Sequence, residues 1–322
     1  MASKEEQMEK KAGASAGPTT KPKKLIPFGG YYTNKMPGHD PELTEVGPGT
    51  PMGEYMRGFW HPVCMSIELT DTPRFLTILG EELVAFRDGS GRVGLLHAHC
   101  VHRGASLEYG LIQERGIKCC YHGMVFDVDG TCLNAPFPKG EEAEAEKYAC
   151  SIQQGAYKAF ERNGLVFAYM GPPDKEPPFP EWESDFTVAP GDELVPYSNF
   201  QHCNWLQVQD NAADNFHTAE LHAAKNVVGG HFQGTTFDEV GAPTMEVHPD
   251  MQFVPIHGGR GLACSGARRV NNDKLFIRVQ HQVLPNLSLH AYTSEDGANK
   301  KLFSRFHIIR WTVPVDDVNS KM

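Results

Sequence analysis

The apolar positions of this chain fall mainly into short alternating or continuous runs of strand length, bounded by Gly, Pro, Asp or Asn. Phe75 to Phe86 and Val93 to His99 read as strands joined by the hairpin signal Asp88-Gly-Ser-Gly-Arg92. Val125 to Val128 and Cys132 to Asn134 flank Asp129-Gly130, a pair that accepts the positive φ of a tight turn. Leu165 to Tyr169 is an apolar run that closes this first set of strands. Further on, Leu275 to Val283 alternates, Leu287 to Tyr292 follows a Pro-Asn turn, and Leu302 to Val313 forms another long strand. Two stretches read as helix: Met52 to Trp60, and Asn204 to His222, which contains no Pro or Gly.

Punctuation divides these elements into regions. Residues 1–24, rich in Lys, Glu, Ala, Gly, Ser and Thr without apolar periodicity, are expected to form a disordered tail. Residues 25–54 carry Gly29-Gly30, Pro37-Gly38 and Gly47-Pro48-Gly49 and predict an irregular lead-in. A first, all-β domain spans 55–171. Residues 172–180 are a Pro-rich linker, because Pro172, Pro173, Pro177, Pro178 and Pro180 fit neither a helix nor a central strand. A second domain follows over 181–322. The acidic stretch Glu141 to Glu146 reads as a solvated loop or short helix.

Charge and composition exclude several classes. The net charge is −10, and the first 24 residues hold six Lys against three Glu, so the folded part is still more acidic. Nucleic acid is therefore not an expected partner. No run of eighteen apolar residues exists to span a membrane, and no signal or transit pattern opens the chain. Eight Cys without an export signal suit a reducing, cytoplasmic setting.

Candidate chemistry concentrates in Cys100 to Gly123. Cys100-x-His102 and Cys119-x-x-His122 are separated by sixteen residues. Two thiolates and two imidazoles can hold a 2Fe-2S cluster of Rieske type, both Cys on one iron and both His on the other. A tetrahedral zinc site is the competing reading. Iron is favoured because a Gly closes each short loop, Gly104 and Gly123, where backbone amides approach cluster sulfurs. Zinc fingers place their His pair three to five residues apart on one helix instead. Cys120 does not give the two-residue spacer and is expected to be a packed thiol; His97 and His99 are expected to be structural or exposed.

CxHRG followed by CxYHG resembles the Rieske domain of the ring-hydroxylating, non-haem iron oxygenases. Respiratory Rieske proteins carry a disulfide across the loops where this chain has Ala105 and Tyr121, and the family's usual Trp is Met124 here. In the second region, Asp210-Asn211-x-x-Asp214-x-x-His217-x-x-x-x-His222, preceded by Asn204-Trp205, places Asp210, Asp214 and His217 on one face of a helix. His217 and His222 lie about 140° apart on an ideal helix, so they share a metal only if the helix is distorted or ends between them. By geometry alone the pattern leaves open a metal site or a polar helix face. It resembles the catalytic-iron motif of the same oxygenases, in the phthalate dioxygenase and 2-oxoquinoline 8-monooxygenase branch.

That resemblance implies an α+β fold, an all-β Rieske domain followed by a helix-grip, START-like catalytic domain. It implies a Rieske 2Fe-2S cluster on Cys100, His102, Cys119 and His122, and a mononuclear Fe(II) on His217 and His222. Asp214 is implied to bridge a catalytic His to a neighbouring subunit's cluster, with Asp210 and Asn211 in support. The implied reaction is O2-dependent hydroxylation, or demethylation by hydroxylation, of an aromatic or heteroaromatic compound. Electrons are implied to come from a separate NAD(P)H-dependent reductase, with or without a ferredoxin, and the assembly to be a homotrimer. In the family a carboxylate ligand follows the second His by well over a hundred residues; here only 100 follow, and Trp311-Thr-Val-Pro-Val-Asp-Asp317 resembles the strand before that ligand. The chain is thus expected to lack a C-terminal part. Asp316 and Asp317 read as a strand end rather than ligands, and Glu220 is a poorer candidate. Arg260, Arg268 and Arg269 read as exposed surface, with an anionic substrate as the other option; His231 reads as surface, in a loop over the pocket. The alternative function is an electron-transfer or ligand-binding protein without a competent catalytic iron.

Overall fold

Thr50 starts the first well-defined helix. Its hydroxyl accepts the Gly53 amide at 3.2 Å and Pro51 occupies the first turn, so α1, Pro51–Arg57, begins where capping chemistry places it. The computed structural model describes residues 27–29, 38–180, 193–221, 247–270, 274–291 and 306–322. Residues 1–39 and 40–322 divide into two units. The expected tail, His222 and His231 lie outside the described residues.

Within the larger unit, β1 (Trp60–Met65), β2 (Arg74–Ile78), β3 (Glu81–Arg87), β4 (Val93–His97), β9 (Ala156–Arg162) and β10 (Leu165–Tyr169) form one antiparallel sheet in the order β1-β10-β9-β4-β3-β2. A second, four-stranded sheet holds β5 (Leu111–Ile112), β6 (Ile117–Lys118), β7 (Val125–Phe126) and β8 (Cys132–Asn134) in sequence order. The single run expected from Phe75 to Phe86 is in fact a hairpin. Leu79 and Gly80 take φ of 52° and 75°, the left-handed pair of a tight turn, which apolar patterning around Leu79 concealed. The acidic stretch is helical, forming α2, Glu142–Ala149.

The second half is β-rich with few helices, in keeping with the sheet of the helix-grip domain that the resemblance implies. Residues of β12 (Asp250–Ile256), β13 (Gly261–Val270), β14 (Lys274–Val283), β15 (Leu287–Ala291) and β16 (Phe306–Trp311) make a continuous antiparallel meander. Helix α3, Trp205–Ala213, lies against β14, with Asn204 capping it through the Leu206 amide at 3.0 Å. A small sheet of β11 (Phe200–Gln201), β18 (Ser320–Lys321) and β17 (Val313–Pro314) completes the chain.

The halves share a core. Trp205 and Val313 are buried in the same cluster as Met56, Leu76, Leu83 and Leu95. The β2–β3 turn docks on the C-terminal segment through Leu79 N–H to Pro314 O (3.0 Å) and Gly80 N–H to Val315 O (2.9 Å). Asp316 accepts the amides of Val318 and Asn319, and Asp317 accepts that of Val46 at 2.8 Å, so both carboxylates serve as caps at a strand end. The Pro-rich stretch is strapped down: Trp60 Nε1 donates to Pro177 O at 3.0 Å, and Phe179 packs on Phe160 and Phe167.

Candidate metal centres

Two loops of the same design stand side by side. In the first, the Cys100 amide donates to Ala105 O (2.9 Å) and the Gly104 amide to Cys100 O (2.8 Å). In the second, the Cys119 amide donates to Met124 O (2.7 Å) and the Gly123 amide to Cys119 O (3.0 Å). The two loops thus close with the same pair of bonds at the same spacing. Gly104 and Gly123 take φ of 71° and 75°, where a Cβ is strained, so the Gly after each Cys/His pair is needed for the turn itself.

This duplication brings the four candidate ligands together. Cys100 and Cys119 are 3% and 2% exposed, each at the base of its loop. The Cys100 sulfur lies within hydrogen-bonding reach of Cys119 and of the His102 and Arg103 amides. Burial pushes its thiol up to about 11, against the lowering by the His102 amide and together with the neighbouring sulfur. His102 and His122 sit partly exposed above them, with ring centroids 4.8 Å apart. Desolvation and the nearby His102 and Arg103 lower the His122 pKa. Buried paired sulfurs with amides aimed at them, and paired imidazoles outside, suit a group that takes two ligands of each kind. Among the described residues no three His, Cys, Asp or Glu converge as one mononuclear ion requires.

The neighbours follow from local geometry. Cys120 is exposed, contrary to its expected packing, because Cys119 turns inward and the next position in so tight a loop turns out. All eight cysteines are free. His99 pairs with Glu82 at 2.8 Å and the Gly104 carbonyl at 3.1 Å, which raises its pKa. Sequence reasoning missed Gln154. Its buried side chain accepts the Val101 amide at 2.7 Å and donates to both His97 O and His99 O at 2.9 Å, pinning the first loop from a segment more than fifty residues away in sequence. A Gln-Gln-Gly triplet after the acidic helix carries no pattern that announces this.

The second constellation departs from the single helix. Helix α3 stops at Ala213, and Asp214 adopts φ −85°, ψ 107°. Asp210, Asp214 and His217 therefore do not share one helical face; the break falls before His217. Asp214 causes it by competing for backbone, its Oδ1 accepting the Phe216 amide at 2.6 Å. Its Oδ2 lies 3.2 Å from His217 Nδ1, which leaves Nε2 as the ring's other donor atom for a metal. A short helix, α4 (Thr218–Leu221), follows. Asp210 and Asn211 are exposed on the last turn of α3. Glu220 faces His248 at 3.4 Å.

Arg268 holds this break from below. It is 1% exposed, not a surface residue: Nε donates to Val247 O (2.8 Å), and Nη2 to Asn215 O (2.8 Å) and to the Thr218 hydroxyl. Patterning concealed it, since both faces of β13 mix small and polar residues. Arg260 and Arg269 are exposed. A cavity of about 290 Å³ lies between β1, β10, residues 193–198 and β16, and none of its walls is a candidate ligand.

Residues 59–154 match the Rieske [2Fe-2S] domain family. Over 299 residues the chain is 46% identical to a tert-butanol monooxygenase / tert-amyl alcohol desaturase oxygenase subunit from Aquincola tertiaricarbonis, covering 91% of this chain and 61% of that protein. It is 39% identical over 266 residues to a phenoxybenzoate dioxygenase subunit alpha from Ectopseudomonas oleovorans, covering 79% and 61%. The chain thus spans about three fifths of the length of these relatives. The crystal structure of dicamba monooxygenase bound to dicamba superposes with a TM-score of 0.60 at 21% identity, over 82% of this chain and 75% of that one, which is a likeness of fold.

Proposed function

From a chain that carries a Rieske [2Fe-2S] domain and is related along most of its length to Rieske oxygenase subunits, we propose an oxygenase component. It receives electrons at the cluster and uses O2 to hydroxylate, or demethylate by hydroxylation, an aromatic or heteroaromatic compound. The observation that carries the reading is the pair of equivalent loops, each offering one buried Cys and one outward His. Cys100 and Cys119 take one iron, and His102 and His122 the other. Both His ligands sit at the exposed end, where an electron partner meets them.

His217 and His222 hold a mononuclear Fe(II), whose chemistry when bound is O2 activation. The chain's own contribution is to orient. Asp214 fixes the His217 ring through Nδ1, and Arg268 holds the Asn215 carbonyl before it and the Thr218 hydroxyl after it. Electrons come from a separate NAD(P)H-dependent reductase, directly or through a ferredoxin, in keeping with relatives that are themselves subunits. We infer a homotrimer in which Asp214 links one subunit's iron site to the next subunit's cluster. Eight free cysteines fit a cytoplasmic setting, and no described helix is long and apolar enough to cross a membrane.

Iron per chain and the EPR spectrum of reduced, anaerobically purified protein test this reading. About three irons with a Rieske signal are expected. About two irons with that signal would make the protein an electron carrier, and no signal would overturn the proposal.

A further inference from the structure

The face of the β12–β16 sheet turned towards α3 is polar where a core face is ordinarily apolar. Strand register puts Arg268, Gln280, Gln282, Ser288, His290 and Arg310 on it, and Gln209 and Asn215 of the α3 region reach down to Gln282 and Gln280. Gln280 lies opposite His290, with Arg278 and Arg310 at diagonal corners on the flanking strands.

Arg268 has carbonyl and hydroxyl partners for its guanidinium. The groups around His290 do not. His290 is 7% exposed and, among the described residues, neither ring nitrogen has a partner; Arg310 buries Nε and Nη2 without one among them. Arg278 lies close enough for its charge to act on His290, and Gln280, with its amide turned over, offers its Nε an oxygen at 3.2 Å, a neutral partner. Among the described residues no carboxylate pairs with Arg278 or Arg310. Burial, then Arg310 and Arg278, push the imidazole down to about 3. Half-buried guanidiniums without counter-charge among the described residues are costly, and a sheet that keeps two beside a buried imidazole is built for a ligand that brings the charge.

We propose that His290, Arg310 and Arg278 form a cradle for the carboxylate of an aryl acid, which assigns the substrate class of the oxygenase reading above and rests on it. A guanidinium presents parallel N–H donors that match a carboxylate in its plane, and the imidazole supplies a further donor at the centre. The cradle is placed for this role. Gln280, its neighbour, lies 3.1 Å from Asn215, two residues from His217, so an acid anchored at His290 directs its ring along the sheet towards the iron ligand. Arg310 also lines the 290 Å³ cavity, which makes it reachable by a solute.

The test is calorimetric titration and thermal shift of the holoprotein with acetate and benzoate against acetamide and benzamide, repeated on Arg310→Met and His290→Leu. The acids are expected to bind wild type at least about tenfold more tightly than the amides, and each variant to lose that preference. Without ligand, Arg310→Met is expected to melt no lower than wild type, because it removes a charge whose Nε and Nη2 are buried without a partner among the described residues. Equal binding of acids and amides, or a lower ligand-free melting temperature for Arg310→Met, overturns the cradle. The Rieske signal and iron content, read on the same samples, separate the two proposals. Signal and third iron without acid preference sink only the cradle, while acid preference without the signal sinks only the oxygenase.

Discussion

The imidazole of His61 on β1 and the side-chain amide of Asn286 in the β14–β15 turn meet at 3.3 Å, joining the two halves of the larger unit. His61 Nε2 faces the Met56 carbonyl at 2.8 Å, which can only accept, so Nε2 carries the proton and Nδ1 accepts from Asn286. Burial pushes the ring down to about 4, the Met56 bond opposing and Arg57 assisting. The neutral ring therefore stabilises the fold fully above the unfolded value near 6.5, and the contribution is lost as pH falls towards 4. Its full size is about 3 kcal/mol. Lowering pH from 7.5 to 5.5 is expected to cost the wild type about 1 kcal/mol through His61. The melting temperature of His61→Gln should fall less over that interval; an equal fall would show that the ring does not titrate in this way.

Gln154 is the tie whose loss should be felt at a distance. Gln154→Ala strands the Val101 amide and the His97 and His99 carbonyls, at an expected cost of about 2–4 kcal/mol. Because these groups flank Cys100 and His102, the variant should also bleach faster than wild type under a chelator. Visible absorbance per chain followed over time checks this, and an unchanged decay would confine Gln154 to a packing role.

The neighbouring thiols give a sharp contrast. Cys119→Ser is expected to lose the cluster's colour, while Cys120→Ser keeps it, since only Cys119 is buried beside Cys100. The reverse pattern would refute the ligand assignment.

Asp214→Asn keeps an oxygen for the Phe216 amide but replaces the carboxylate at His217. Iron retention at the second site should fall about 10–100-fold while the Rieske signal persists. Iron competition with a graded chelator measures it, and full retention would remove Asp214 from the site.

Arg268→Met leaves Asn215 O, Val247 O and the Thr218 hydroxyl without their donor, for an expected loss of about 2–4 kcal/mol. Urea unfolding monitored by tryptophan fluorescence checks the magnitude. Here the contrast with Arg310→Met matters, since Arg268 donates to three groups while Arg310 buries Nε and Nη2 without a partner among the described residues.

What could be read from the chain followed local chemistry. The Cys/His loops were legible because spacing and the closing glycines are both sequence-local, and the structure repeats the same hydrogen bonds in each. Strands ending in Gly or Asp-Gly were legible for the same reason. Leu79 was not, because an apolar residue at positive φ carries no turn signal. The end of α3 at Asp214 was hidden because helix propensity continues through His217, and the competing bond to the Phe216 amide appears only once the backbone turns. Arg268, His290 and Arg310 were hidden more deeply. Their surroundings are set by segments distant in sequence, Asn215, Thr218 and Val247 around Arg268 and residues 193–198 beside Arg310, which no period along a single strand records.

Trp205 and Val313 sit in one core with Met56 and Leu83, and Asp317 caps Val46. A protease nick in the Pro-rich stretch should consequently leave two fragments that migrate together until denaturant is added, and neither half expressed by itself should stay soluble, because each would present the other's apolar seat to water.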